Sequence, residues 1–177
     1  MDVNAPIALI GASYGDRDSA VRDLTSVWAA RHDGDFHHTS VALLTKDGDG
    51  DLHVDRHNST TKHLEWGGAL LGAALVVLAP AAGIQFLVGV GLSGAGAMIS
   101  HFREHADPKD LAAIASLLEA GDSALVVVVV NRQGQMMTPL LSHAEGRASV
   151  DMPWGDLDEE LSADFAHPIF ERAPVAV

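Results

Sequence analysis

From Trp66 to Ser100 the chain carries no ionisable side chain. This constrains the fold more than any other feature, because a helix that is apolar all round must be buried on every side. The stretch reads as WGGALLGAALVVLA, then PAAGIQ, then FLVGVGLSGAGAMIS, two apolar runs parted by Pro80 and Gly83. Each run is about one helix long, and the pattern predicts a helical hairpin. Small residues recur four apart within it: Gly68 and Gly72, Ala69 and Ala73, then Gly89, Ser93 and Ala97, with Gly91 and Ala95 beside them. Glycine inside a helix costs about 1 kcal/mol relative to alanine, so its repetition needs an offsetting gain. Close approach of helix backbones is the usual one. Gly68, Gly72, Gly89, Gly91, Ser93 and Ala97 are therefore the candidate residues for assembly or membrane association.

Each run alone is short for a membrane span, which takes about 20 residues to cross a hydrocarbon core of ~30 Å. Borrowing the polar flanks, Thr60 to Ala79 and Ile84 to His105, just reaches that length. Three readings stay open: a membrane-inserted or re-entrant hairpin, one lying in the bilayer interface, and one buried at a protein interface of an oligomer. An ordinary pair of core helices is disfavoured, since the rest of the chain is small for wrapping both.

With 177 residues the expectation is one domain, the hairpin being an insertion. Against 24 acidic side chains stand 11 Lys and Arg, a net charge of -13, which argues against nucleic acid as a partner. Anionic lipid is repelled as well, so any membrane contact would have to come from apolar insertion. Cysteine is absent, which removes disulfide and thiolate chemistry. The start, MDVNAPIALIGAS, has an acid at position 2 and no basic run, unlike a secretory signal. The expected location is the cytoplasm, free or attached to the inner face of the cell membrane, with both flanks of an inserted hairpin on that side.

Pro6 to Ala12 reads as a buried strand. Asp16 or Asp18 can cap a helix with Ala20, Val21, Leu24, Val27 and Trp28 at helical spacing. Thr39 to Thr45 and Asp51 to Asn58 flank the turn KDGDG, a strand pair joined by a glycine-bearing turn. Beyond the apolar stretch, Asp107-Pro108 starts a helix with Leu111, Ile114, Ala115, Leu117 and Leu118 on one face, stopped by Gly121. Ala124 to Val130 is a strand apolar on both faces, and Met136 to Leu141 reads as a further strand. From Asp151 the chain is acidic and proline-bearing, with a short helix expected near Leu157 to Phe165.

This order predicts an α+β fold, a ferredoxin-like split βαβ sheet with an inserted apolar Gly-rich helical hairpin. Residues 1–65 and 101–150 would form the α+β domain, 66–100 the hairpin and 151–177 an acidic tail. Such a sheet has helices on one face only, yet the valines at 126 to 130 place apolar side chains on both. A second subunit, sheet against sheet, is the expected cover, and excising Gly68 to Ser100 is expected to leave a folded dimeric core.

VALLTKDGDGDLHVDRHNSTTKHLEWGGALLGAAL, with SHFREHADPKDLAAIASLLEAGDSALVVVV, resembles the bacterial and archaeal domain of unknown function DUF1269, often labelled a membrane protein for its glycine-rich segment. The resemblance covers about residues 5 to 131, and Lys46 to Gly72 is its most specific part. It implies a split βαβ domain bearing a glycine-zipper hairpin. It brings no activity, cofactor or catalytic residue, and beyond Gln133 it ends.

Asp47-Gly-Asp-Gly-Asp51 fails as a calcium loop, because its sixth position is Leu52 and its twelfth Asn58. Turn chemistry accounts for it. His53, Asp55 and His57 alternate along one strand and so would share a face, with Ser40 opposite His57 and His38 nearby. Imidazoles and a carboxylate suit a borderline metal such as zinc, although side chains two apart on a strand stand ~7 Å apart, so a tight site needs further ligands. A polar sheet face is the plainer account. Gly11-Ala-Ser-Tyr-Gly15 lacks either phosphate-loop pattern and reads as a strand-to-helix turn. Neither a catalytic triad nor H-E-x-x-H is present. Four of the 10 histidines, His57, His63, His101 and His105, flank the apolar stretch, so acidification below about pH 6 should strengthen assembly or insertion.

The sequence thus points to a non-enzymatic structural or assembly protein in a stress or envelope role. Its partner would be itself, with a lipid membrane as the other candidate, and it would use no cofactor. The alternative is a small-molecule or metal-binding module on the histidine-bearing sheet face.

Overall fold

A computed structural model describes residues 6–32, 39–59, 64–84, 95–130, 137–153 and 155. The chain is mixed α+β. Its strands are β1 (Pro6–Tyr14), β2 (Thr39–Lys46), β3 (Leu52–Ser59), β4 (Ser123–Val130) and β5 (Gly146–Pro153). Its helices are α1 (Arg17–His32), α2 (Leu64–Leu78), α3 (Ala95–His105) and α4 (Pro108–Ala120), with a 3-10 turn at Thr138–Leu140.

The sheet has five strands in the order β3-β2-β4-β1-β5, and every neighbouring pair is antiparallel. It follows that β1 and β2 run parallel with β4 between them, and β3 and β4 run parallel with β2 between them. A ferredoxin-like sheet instead sets its third strand between the first and second. Polarity explains the difference. The valine-rich β4 is buried from Ala124 to Val129 and takes the centre, while β3, LHVDRHNS, takes an edge.

Side-chain alternation divides the core into two layers. Ile7 and Leu9 of β1, Ala42 and Leu44 of β2, Val126 and Val128 of β4, and Val150 and Met152 of β5 pack against α2, α3 and α4. Ala8, Ile10, Ala12 and Tyr14, Val41 and Leu43, and Leu125, Val127 and Val129 pack against Ala20, Leu24 and Val27 of α1, with Met137 and Leu141. Both faces are therefore covered from within one chain, and α1 occupies the face expected to await a second subunit. The consecutive valines called for cover on both sides, and helices on opposite faces supply it.

The apolar stretch does not stand apart from this body. Ala69, Leu70, Leu71, Ala73, Ala74, Leu75 and Leu78 of α2 are buried in the same cluster as the sheet residues, alongside Met98 and Phe102 of α3. An ordinary core-helix packing, disfavoured by the sequence, is what α2 adopts. The break falls as expected: α2 ends at Leu78, and a helical turn spans residues 80–84. A Cβ on Gly83 would stand 2.3 Å from Val76 N and 2.5 Å from Leu75 C, so the turn folds back onto the α2 backbone where only glycine fits.

Helix ends follow their residues. Asp16 caps α1, its Oδ1 accepting from Ser19 N at 2.8 Å, and Asp107 caps α4, its Oδ1 accepting from Lys109 N at 2.8 Å. Gly121 follows α4 with φ -89°, so positive φ is not its purpose. A Cβ there would lie 2.8 Å from Tyr14 O, and close chain approach is the reason for glycine. Gly11 lies inside β1 rather than in a strand-to-helix turn, and a Cβ on it would meet Ile114 Cγ2 at 2.5 Å, so α4 crosses β1 at this residue. Residues 136–141 hold no strand among the described positions. The further strand is β5, which pairs with β1 through Pro153 and so extends into the segment assigned to the tail. The helix expected near Leu157 to Phe165 lies outside the described residues.

Candidate functional site

Among the candidate hairpin residues, Gly68 and Gly72 fall in α2 and Ala97 in α3, while Gly89, Gly91 and Ser93 lie outside the described residues. Gly72 is buried and Ala97 half-buried. At the far end of α2, Val76 and Val77 are half-buried, and Ile84 is 58% exposed, the exposed large hydrophobic among the described residues. Among those residues no helix is long and apolar enough to cross a membrane.

The turn between β2 and β3 is organised by Asp47. Its Oδ1 accepts from Asp49 N at 2.9 Å and Asp51 N at 3.0 Å, and Gly50 supplies the positive φ of 88°. The Asp47 carboxyl is held below the usual carboxylate range, first by the hydrogen bond with His53 and then by the Asp51 N–H. His53 Nε2 sits 2.7 Å from Asp47 Oδ2. Asp55 is engaged elsewhere, accepting from Arg17 Nε at 3.0 Å.

A bulge in β3 parts the three candidate metal residues. Leu44 pairs with Val54 and Leu43 with Arg56, which leaves Asp55 as an extra residue. His53 therefore falls opposite Thr45 and position 57 opposite Ala42, and these two β2 positions, three apart, lie on opposite faces of the sheet. Strict alternation, from which His53, Asp55 and His57 would share a face, does not survive the inserted residue. Ser40 is opposite Ser59 rather than His57, and His38 lies outside the described residues. Among the described residues no group of three or more His, Asp or Glu is placed to hold a metal ion.

The most developed polar centre joins residues far apart in the chain. Asp23 of α1 is wholly buried beneath the loop that leads into β5. Tyr14 donates its hydroxyl to Asp23 Oδ2 at 3.0 Å, and the His143 backbone N–H donates to the same oxygen at 3.0 Å. His143 Nδ1 lies 2.6 Å from Asp23 Oδ1. With Asp23 as a carboxylate, which accepts and does not donate, this contact makes Nδ1 the donor. The loop is held in turn by Arg147, whose Nη1 donates to Leu141 O at 3.1 Å and Thr138 O at 3.3 Å. Burial, then the charge of Asp23 and its hydrogen bond, push the Tyr14 phenol well above its ordinary range. Burying a carboxylate without partners is costly, and three donors answer that cost here. Sequence reading missed this centre, because Asp23 and His143 are separated by 120 positions and neither lies in a motif. The only local hint is a polar residue at a helix position whose neighbours Ala20, Leu24 and Val27 are core.

Comparison with protein-family models, with curated proteins and with solved structures finds no match to the chain.

Proposed function

We propose that the chain is a structural assembly protein that associates with copies of itself through the apolar end of its helical hairpin. The observation carrying this reading is Ile84, 58% exposed at the end of a helical segment whose preceding helix is core. The chain then continues as QFLVGVGL, without a charge. An apolar end of this kind is the surface that contact between copies would bury, and that burial has to outweigh the mutual repulsion of chains of net charge -13. Kinship with the DUF1269 domains belongs to the same proposal and rests on the residues quoted for it. The metal-module reading has less support, since His53 is engaged by Asp47, Asp55 by Arg17, and the bulge parts position 57 from both.

Sedimentation velocity tests the proposal. The full chain should sediment above monomer mass at micromolar concentration, and Ile84→Glu should return it to monomer with an unchanged circular dichroism spectrum. A wild-type chain that stays monomeric without lipid and floats with neutral vesicles would shift the reading to membrane attachment. A monomer that ignores vesicles would end it.

A further inference from the structure

The Tyr14, Asp23 and His143 centre holds the loop and also presents an imidazole at the surface. Asp23 is fully buried, while the His143 side chain is 44% exposed, so the pair spans the boundary between interior and solvent. With Nδ1 donating inward to Asp23 Oδ1 at 2.6 Å, the lone pair of the neutral ring is on Nε2. The carboxylate fixes the ring's tautomer and orientation, and the backbone N–H of His143 on the other carboxylate oxygen fixes the residue itself. Tyr14 holds that carboxylate from beneath.

We propose that His143 is a nucleophilic imidazole that transfers acyl groups from activated, uncharged esters to water, with Asp23 as its positioning residue. Nε2 forms a bond to the acyl carbon, and the bond from that carbon to the aryl oxygen breaks, the aryloxide leaving with the electron pair. Nδ1 keeps its proton, so the acylated ring is cationic, and Asp23 lies against that charge. Water then attacks the acyl carbon, the C–N bond breaks with its electrons returning to Nε2, and the water's protons pass to solvent. The sum is ester plus water to carboxylic acid plus phenol. An uncharged substrate is specified because a chain of net charge -13 repels anions. This activity is separate from self-association and does not depend on it.

The test is release of nitrophenolate from p-nitrophenyl acetate by the full-length chain. His143→Gln should remove the greater part of the rate, whereas His105→Gln should keep it. Asp23→Asn should lower the rate about tenfold and displace the pH–rate profile, a change that a purely structural anchor would not produce. Equal rates for wild type and a folded His143→Gln would overturn the proposal. Should that variant not fold, carbethoxylation of the wild-type chain decides: His143 should react first among the 10 histidines, and a rate no greater than the others would refute the assignment.

Discussion

Leu75→Ala separates a hairpin that belongs to the core from one that merely leans on it. Leu75 is 0% exposed and lies in the cluster that α2 forms with the sheet, Met98 and Phe102. Removing a buried leucine side chain costs about 2–5 kcal/mol, the spread reflecting how far the cavity collapses. The dense neighbourhood of Leu71, Leu78 and the sheet residues places this site in the middle of that range, about 3 kcal/mol. Alanine is the better helix former, so propensity cannot be the source of the loss. Total stability is of the order of 5–15 kcal/mol, and the variant should remain folded but weakened. With a urea slope of about 2 kcal/mol per M, the midpoint should fall by about 1.5 M. The assay is urea denaturation followed by circular dichroism, at two protein concentrations tenfold apart. A shift below about 0.5 M would show that α2 contributes little to the fold of a single chain and would refute the packing argument. For the same reason, deleting residues 68–100 should leave an unfolded chain rather than a compact core, since Ala42, Leu44 and Val126 would lose their cover.

Three further outcomes follow from the geometry. Gly83→Ala places a Cβ 2.3 Å from a backbone nitrogen that cannot swing aside; a loss of about 1–3 kcal/mol should lower the thermal midpoint by several degrees. Tyr14 is the single tyrosine, so its ultraviolet titration is free of overlap from other phenols. Its raised folded value means that stability is complete below the ordinary phenol range near 10 and declines as pH rises above it, so phenolate should appear only with unfolding. The Asp47 carboxyl is depressed in the folded chain, so its contribution is present above the ordinary carboxylate range and is lost as pH falls through the folded value. The thermal midpoint of Asp47→Asn should therefore lie below wild type near neutrality and converge with it in acid.

Several elements could be read directly from local pattern. The capping aspartates Asp16 and Asp107, the KDGDG turn and the apolar face of α4 each depend on residues a few positions apart. The two-sided burial of β4 was visible in its uninterrupted valines, and Pro80 with Gly83 marked the break in the apolar stretch. What could not be read was which partner covers which surface. The valines demand apolar neighbours on both faces without naming them, and here α1 and α2 are those neighbours, not a second chain or a lipid. The β3 bulge was equally hidden, because an inserted residue is defined by the register against β2 and leaves no mark in β3 itself. β5 was missed because half its residues face solvent and its pattern is weak outside the sheet.

By itself the sequence determined the type and extent of most elements and the need to bury residues 66–100, since periodicity, caps and breakers act within a turn or two of the backbone. The tertiary structure decided the strand order, the layer on which each helix lies, and the meeting of Tyr14, Asp23 and His143. Those are contacts between segments far apart in the chain. They are chosen by competition among all the apolar surfaces at once, and no short stretch holds the information that settles it.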